Sequence, residues 1–208
     1  IILIMLTTAV FADYIADYEN VVIKQDINNK LLPPSKEHWF GTDEFGRDVF
    51  ARIVHGTRIS LYVGMISVGI SAITGGTLGA IAGYYGGKID NITMRSLDVL
   101  MAIPAMLLAI AIVSSIGSSM FILMVAVGIS SVPGFARITR ASVLSVKDEE
   151  FIEAARAIGA KDSTIILKHI IPNCMAPIIV QITLKIGKAI GFTASLSFIG
   201  LGVKAPKP

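Results

Sequence analysis

Residues 59–87 read ISLYVGMISVGISAITGGTLGAIAGYYGG and contain no Asp, Glu, Lys or Arg. A helix needs about 20 apolar residues to cross the hydrocarbon core of a bilayer, so we predict that this run spans a membrane. The composition agrees, since 53% of the 208 residues are hydrophobic, 16% are charged and the mean hydropathy is +0.72. An ordinary soluble enzyme carries about 25% charged residues, so the composition argues against this class of protein.

Further apolar stretches lie on both sides of this run. Residues 99–136 are also uncharged, and one straight helix of that length would overshoot a bilayer almost twofold. We predict two spans that are separated at residues 116–119, where Gly and Ser can reverse the chain. Pro104 and Pro133 would lie near the outer limits of the pair.

Two less regular stretches complete the pattern. Residues 170–198 are apolar except for Lys185 and Lys188, and we predict a further span there. Residues 1–12 are apolar without an initial Met or a basic region, which is typical of the outer half of a span and not of a signal peptide. The predicted fold is an all-α, polytopic helical membrane protein with about five spans.

Basic residues predict the orientation of these spans. The segments 84–96 and 137–171 carry the Lys and Arg residues of the shorter loops, and such loops lie in the cytoplasm. Residues 13–58 contain eight acidic and six basic residues and are expected outside, as are residues 117–119. The net charge of +3 is too small to indicate a nucleic-acid-binding protein.

Small residues recur every fourth position in the run at 59–87, at Ser67, Ser71, Gly75, Gly79 and Gly83. Such rows let two membrane helices approach closely. We predict a tight helix crossing and assign these residues no chemistry.

The sequence does not contain the motifs of common catalytic sites. No phosphate-binding loop of the form GxxxxGK[ST] occurs, so the chain is not expected to be an enzyme that hydrolyses ATP. The three histidines are far apart and Cys174 is the only cysteine, so we predict no disulfide, metal site or cofactor in this chain. The stretch GTDEFGRD at 41–48 lacks the spacing of a calcium loop and predicts a turn into a helix capped by Thr42 or Asp43.

Residues 148–171 show the clearest pattern outside the apolar runs. Asp148 can cap a short helix, and Gly159 can take the left-handed conformation that ends it. Asp162 or Ser163 can cap a second helix, which would run to Lys168 and His169 before Pro172.

The first of these helices carries an apolar stripe that is too short to be stable alone. Its residues are Phe151, Ile152, Ala155 and Ile158. We expect the helix either to dock into a groove of a partner or to lie with its neighbour on lipid headgroups.

Residues 38–206 resemble the permease subunits of binding-protein-dependent ABC importers of the dipeptide, oligopeptide and nickel branch, of the second-permease type. The resemblance rests on six motifs: GTDEFGRD, RISLYVG, MRSLDVLMAIPAMLLAIAIV, PGFARITR, EFIEAARAIGAKDSTIILKHIIPN and ASLSFIGLG. The most specific part is Glu153-Ala154-Ala155 followed by Gly159, the EAA motif of this family.

The resemblance implies a fold and a set of partners. Residues 148–171, called here the coupling segment, would form coupling helices that contact an ATPase through Phe151, Glu153, Ala154, Ala155 and Gly159. The partners would be a second homologous permease, two cytoplasmic ATPases that bind ATP and Mg²⁺, and an extracytoplasmic substrate-binding protein. The location would be the cytoplasmic membrane of a bacterium or archaeon. The substrate would be a di- or oligopeptide, or alternatively nickel or another small solute.

The resemblance also implies a type I importer fold with six spans. Residues 1–16 would be part of the first span, 17–58 an extracytoplasmic segment, and 59–208 the permease core. We expect a sixth span beyond the given sequence. Lys185 and Lys188 stand where small or apolar residues are expected, and we predict that both line the substrate pathway, because intramembrane charges face a watery cavity or the bundle interior.

Two other classes of protein remain as alternatives. A membrane receptor or scaffold would also show several spans, but it would not need the pattern of the coupling segment. An intramembrane enzyme would need paired catalytic groups, and Asp98 is the only acid close to a span interior. We expect Asp98 to pair with Arg95 instead.

Overall fold

The computed structural model describes residues 2–202, and their regular structure is helical apart from one isolated bridge between Thr42 and Asp48. The chain divides into two compact units, of which the first includes residues 2–63 and the second is Gly64–Gly202. The structure thus confirms the predicted all-α class. The last residues of the resemblance, 203–206, lie outside the described residues.

The first unit starts with short helices. They are α1 (Ile2–Val10), α2 (Ala12–Ile15), a π-helical turn at Tyr18–Ile23 and a 3₁₀ turn at Ile27–Asn29. At nine residues, α1 is shorter than the roughly 20 residues that a span needs.

The turn that leads into α3 (Val49–Tyr85) corrects the predicted cap. Neither Thr42 nor Asp43 caps the helix, because Oδ1 of Asp48 accepts the N–H of Ala51 at 2.7 Å. The carboxylate of Asp43 is held inside the turn by the backbone and guanidinium of Arg47. A side chain that closes the turn on itself cannot also reach the first turn of the helix.

Three described helices are long and apolar enough to cross a membrane. They are α3, α6 (Met120–Val146) and α10 (Met175–Phe198). Helices α4 (Gly87–Ala102) and α5 (Ala105–Ile116) meet at a bend of 83° and together make one further candidate. The described residues therefore contain three helices with the length and composition of a span, or four candidates if the bent pair is one span.

The bend corrects the prediction that residues 99–136 form two full spans. Helix α5 has 12 residues and depends on α4 for a spanning length. Pro104 lies at the bend, and a proline disfavours helical geometry in the residue before it. Ile103 accordingly has an extended backbone, with φ −90° and ψ 125°.

The predicted break at residues 116–119 is confirmed, whereas the predicted limit at Pro133 is wrong. Gly117 has φ +120°, and the hydroxyl of Ser119 caps α6 by accepting the N–H of Ile122 at 3.2 Å. Helix α6 continues through Pro133 to Val146. Pro133 is itself buried, so tertiary packing offsets the hydrogen bond that a helical proline lacks.

The second unit has its main core between α3, α5, α6 and α10. The buried residues of this core are Val68, Ala109, Val113, Leu123, Ala126, Val127, Phe135, Ala189 and Leu196. The remaining helices are α7 (Glu150–Ala157), α8 (Asp162–Thr164) and α9 (Ile171–Asn173), and a π-helical segment at Ile165–Ile170 joins the last two.

The row of small residues on α3 packs against α6, as predicted. A side chain at Gly75 would lie 2.5 Å from the carbonyl oxygen of Val132, and one at Gly79 would meet the carbonyl of Ala136. Gly76 is different, because a side chain there would only touch Thr139 at 3.9 Å. The close approach therefore depends on one face of α3.

Two ion pairs join α4 to α6. Arg140 binds Asp90 through two parallel hydrogen bonds, and Nη2 of Arg137 donates to Asp98. Asp98 thus pairs with Arg137 and not with Arg95 as predicted. The bend at Pro104 and the turn at Gly117 bring α6 back alongside α4, and this long-range contact replaces the local one.

Candidate functional site

The coupling segment begins with α7. Its N-cap is Glu149 and not the predicted Asp148, and no side chain caps the helix. Glu150 and Glu153 lie in the first turn and Arg156 lies in the last turn. Acids at the start and a base at the end complement the helix dipole, so charge stabilises the helix where a capping side chain does not.

Gly159 ends α7 in the predicted left-handed conformation, with φ +79°. The N–H of Gly159 donates to the carbonyl of Arg156 at 2.9 Å, and the N–H of Ala160 donates to the carbonyl of Ala155 at 3.1 Å. These two bonds form a Schellman motif. No heavy atom lies within 4 Å of the position that a side chain at Gly159 would occupy, so only the backbone conformation favours glycine.

The predicted apolar stripe of α7 is divided between two faces. Ile152 and Ala155 are buried within the chain, whereas Phe151 is 43% exposed and Ile158 is 85% exposed. Ala155 was also predicted to contact an ATPase, and its side chain faces the interior of its own chain. Glu153 and Ala154 are exposed and remain available to a partner.

The buried face of α7 packs on the ends of α3 and α6 and on the second helix of the coupling segment. The buried members of this cluster are Ala80, Tyr84, Val143, Ile152, Ala155, Ile165, Ile170 and Cys174. The coupling segment is thus attached to the spans through an apolar core. Its exposed face is held in a defined direction as a result.

The second helix of the coupling segment is longer than predicted. Its N-cap is Lys161 and not Asp162 or Ser163. Helical structure then continues without interruption from Asp162 through Pro172 to Asn173. The buried Ile165 and Ile170 anchor this stretch and explain why it does not end at the cationic residues near position 168.

Tyr84 is a contact residue that the sequence pattern does not reveal. Its hydroxyl donates to Oδ1 of Asp162 at 2.8 Å, and the guanidinium carbon of Arg156 lies 5.4 Å from the centre of its ring. The adjacent residues Tyr84 and Tyr85 at the end of α3 were the only sequence feature that indicated a contact here. A pairing across 78 positions has no local periodicity from which it could be predicted.

The structure places Lys185 and Lys188 on α10 in different surroundings. Lys185 is half-buried, and its ammonium nitrogen lies 3.4 Å from the position that a side chain at Gly134 would occupy. Lys188 is exposed. The two lysines therefore share the helix but only Lys185 packs against α6.

The first unit contains a separate polar cluster. Burial alone would raise the pKa of Asp43, but hydrogen bonds from the side chain and backbone of Arg47 and from the backbone of Phe45 hold the pKa below its ordinary value. Nδ1 of His38 lies 2.8 Å from Asp48. Among residues 2–202, no three His, Cys, Asp or Glu side chains are arranged to hold a metal ion.

Comparison with known proteins identifies relatives over most of the chain. Residues 75–208 match the family described as "Binding-protein-dependent transport system inner membrane component". The chain is 53% identical to a dipeptide transport system permease protein DppC of Alkalihalophilus pseudofirmus, over 87% of this chain and 60% of the relative. It is 46% identical to a glutathione transport system permease protein GsiD of Pectobacterium atrosepticum, over 100% of this chain and 68% of the relative. The chain thus spans about two thirds of the length of these relatives.

A solved structure shares the fold. A chain of the MetNI methionine ABC transporter, in an inward-facing conformation, superposes with a TM-score of 0.61 and 22% sequence identity. The match covers 74% of this chain and 76% of that chain. The helical arrangement is therefore shared with a chain of an ABC transporter.

Proposed function

This chain belongs to the family of binding-protein-dependent transport system inner membrane components, and we propose that it is the permease subunit of an ABC importer for peptides. It is a multi-pass membrane protein of the type I importer permease fold. Dipeptides and glutathione, the substrates in the names of two relatives, are both short peptides, and this supports a peptide as the substrate.

The observation that carries this proposal is the exposed face of α7. Phe151 is 43% exposed and Ile158 is 85% exposed, while the opposite face of the helix is buried in the chain. An apolar side chain that is 85% exposed suits a groove in a soluble partner better than open water. The proposed partner is the cytoplasmic ATPase subunit.

The proposed mechanism is alternating access. Two ATPase subunits would bind and hydrolyse ATP with Mg²⁺, and their movement would displace the coupling segments of this chain and of a second homologous permease. A substrate-binding protein would deliver the peptide from outside. This chain would contribute a substrate pathway that alternates between two conformations, and it would catalyse no reaction itself. The rigid end of α7 at Gly159 would transmit the displacement.

The docking of α7 can be tested at Ile158. Ile158→Glu places a charge where an apolar groove would close on the helix, and it should release the ATPase during copurification in mild detergent. Ile158→Leu keeps an apolar side chain of equal size and serves as the matched control. If the ATPase stays attached to the Glu variant at the level of the Leu variant, the proposed docking face is wrong.

We further propose that Lys185 and Lys188 lie along the substrate pathway, where their ammonium groups attract the carboxylates of peptides. The half-buried position of Lys185 beside Gly134 supports this, because an intramembrane cation is costly unless it faces the bundle interior or water. Replacing both by Met should reduce uptake of anionic peptides more than that of neutral peptides. Lys147→Met, at the end of α6, is the control. Equal uptake of both peptide classes by an assembled Lys185→Met/Lys188→Met complex would contradict the pathway role.

A further inference from the structure

We infer that Tyr84 is a positioning residue that fastens the coupling segment to the end of α3 through its hydrogen bond to Asp162. This inference rests on the proposed function, because it assigns Tyr84 a role in transmitting movement between the ATPase and the spans. The residue touches neither substrate nor partner in this role.

The contacts of Tyr84 reach both helices of the coupling segment. Its side chain is only 8% exposed, and its hydroxyl donates to the carboxylate of Asp162 at 2.8 Å. Its ring lies under the guanidinium of Arg156, at 5.4 Å from ring centre to guanidinium carbon. Asp162 starts α8 and Arg156 lies in the last turn of α7, so one side chain contacts the two helices on either side of the turn at Gly159.

The backbone on both sides of Tyr84 is fixed independently of this contact. At Gly83, a side chain would lie 2.9 Å from Cβ of Val143 and 3.0 Å from the carbonyl oxygen of Arg140, so α3 and α6 are close there. Two residues after Tyr84, Gly86 turns the chain with φ +63°. The direction of the tyrosine hydroxyl is therefore set by the spans and not by the coupling segment.

The hydrogen bond depends on the orientation of the coupling segment more strongly than the surrounding apolar contacts do. The buried side chains around Tyr84, such as Ile152 and Ile165, are mostly aliphatic, and aliphatic packing tolerates small shifts between elements better than a hydrogen bond does. The exposed neighbour Tyr85 also hydrogen-bonds Asp162, so both tyrosines at the end of α3 contact the same carboxylate. A hydroxyl that donates to a carboxylate is a charge-assisted bond, which is shorter and stronger than a neutral one. It therefore selects one arrangement of the coupling segment relative to α3.

The consequence concerns coupling between ATP hydrolysis and transport. With the bond present, α3 must follow when an ATPase displaces the coupling segment. With the bond removed, the segment can shift over the apolar surface while α3 stays behind. ATP would then be hydrolysed without the corresponding import of substrate.

Tyr84→Phe tests this by removing the hydroxyl and keeping the ring. In the assembled complex, uptake per ATP hydrolysed should fall about tenfold to hundredfold, as expected for the loss of one hydrogen bond to a charged group, while the ATPase still copurifies. Asp162→Ala also removes the hydrogen bond from Tyr85 and should reduce uptake per ATP at least as far, and the double variant should be no worse than Asp162→Ala. Asp162→Asn keeps an acceptor oxygen without the charge, and its uptake per ATP should lie between that of the wild type and that of Asp162→Ala. Tyr62→Phe, which removes an exposed hydroxyl from the same helix, should have no effect.

A second readout does not depend on transport. Hydrogen exchange of backbone amides at residues 159–165 should be faster in Tyr84→Phe than in Tyr62→Phe. If the exchange is unchanged, or if it rises while uptake per ATP stays at the wild-type value, the inference is overturned. If the wild-type complex neither imports peptide nor hydrolyses ATP, the proposed function fails, and the exchange measurement still decides whether Tyr84 holds the segment.

Discussion

Substitution of Gly159 should impair transport in proportion to the cost of its left-handed backbone. At φ +79°, a residue with a side chain costs about 1–2 kcal/mol relative to glycine. The space around the position is open, since no heavy atom lies within 4 Å of a built side chain. No steric clash adds to this cost, so the penalty is conformational alone.

This penalty predicts an order among three variants. A cost of one or two kcal/mol shifts an equilibrium about 5- to 30-fold, which favours other conformations of the turn between α7 and α8. Gly159→Asn should be mildest because Asn tolerates the left-handed region, Gly159→Ala should be intermediate, and Gly159→Val should be worst because its β-branched side chain is least compatible with positive φ. Peptide uptake and substrate-stimulated ATPase activity, measured in the reconstituted complex, should both fall in this order.

Gly187→Ala is the matched control for these variants. Gly187 also has open space around it but lies inside helix α10, where Ala is favoured over Gly by about 0.5–1 kcal/mol. Its uptake should equal that of the wild type. Equal uptake by the Asn, Ala and Val variants at Gly159 would refute the argument that this backbone conformation directs the second helix.

Three further predictions concern packing, acid stability and topology. Gly79→Ala should reduce the free energy of unfolding by about 1–3 kcal/mol and so lower the unfolding temperature in detergent, because its side chain meets the backbone of α6. Gly76→Ala should leave the unfolding temperature unchanged. Equal unfolding temperatures for the two variants would contradict the close crossing. The lowered pKa of Asp43 means that its stabilising contribution is present above the unfolded pKa of about 3.9 and is lost as the pH falls through the lower folded value. The hydrogen-exchange protection factors at residues 42–48, which correct for the intrinsic pH dependence of exchange, should therefore fall below about pH 4 in the wild type and not further in Asp43→Asn. A Cys introduced at Glu153 should react with an impermeant maleimide only in opened cells and one at Asn28 in intact ones, and the reverse pattern would exclude the proposed orientation.

Features that depend on neighbours along the chain were predictable from the sequence. The spanning helix at residues 59–87 follows from an uncharged run, and the end of α7 follows from a glycine after a short amphipathic stretch. The break at Gly117 is similar, because glycine and serine between two apolar runs favour a turn wherever the chain is placed. Each signal lies within a few residues of its effect.

Features that depend on distant parts of the chain were not predictable in this way. The pairing of Asp98 with Arg137 requires the bend at Pro104, which turns α4 away from a straight path into α5. The burial of Ala155 requires that α3 and α6 end beside α7. A periodicity identifies the apolar positions of a short helix, but it does not distinguish a face that packs on its own chain from a face that binds a partner.

ATP-driven uptake of a labelled dipeptide into proteoliposomes is the most direct test of the proposed function. The vesicles would contain the full-length protein with its second permease and two ATPases, and the substrate-binding protein would be added outside. We expect uptake that requires ATP and the binding protein, that survives Ile158→Leu and that is lost in Ile158→Glu. Uptake that is independent of ATP, or that is equal in the two Ile158 variants, would contradict the proposed function.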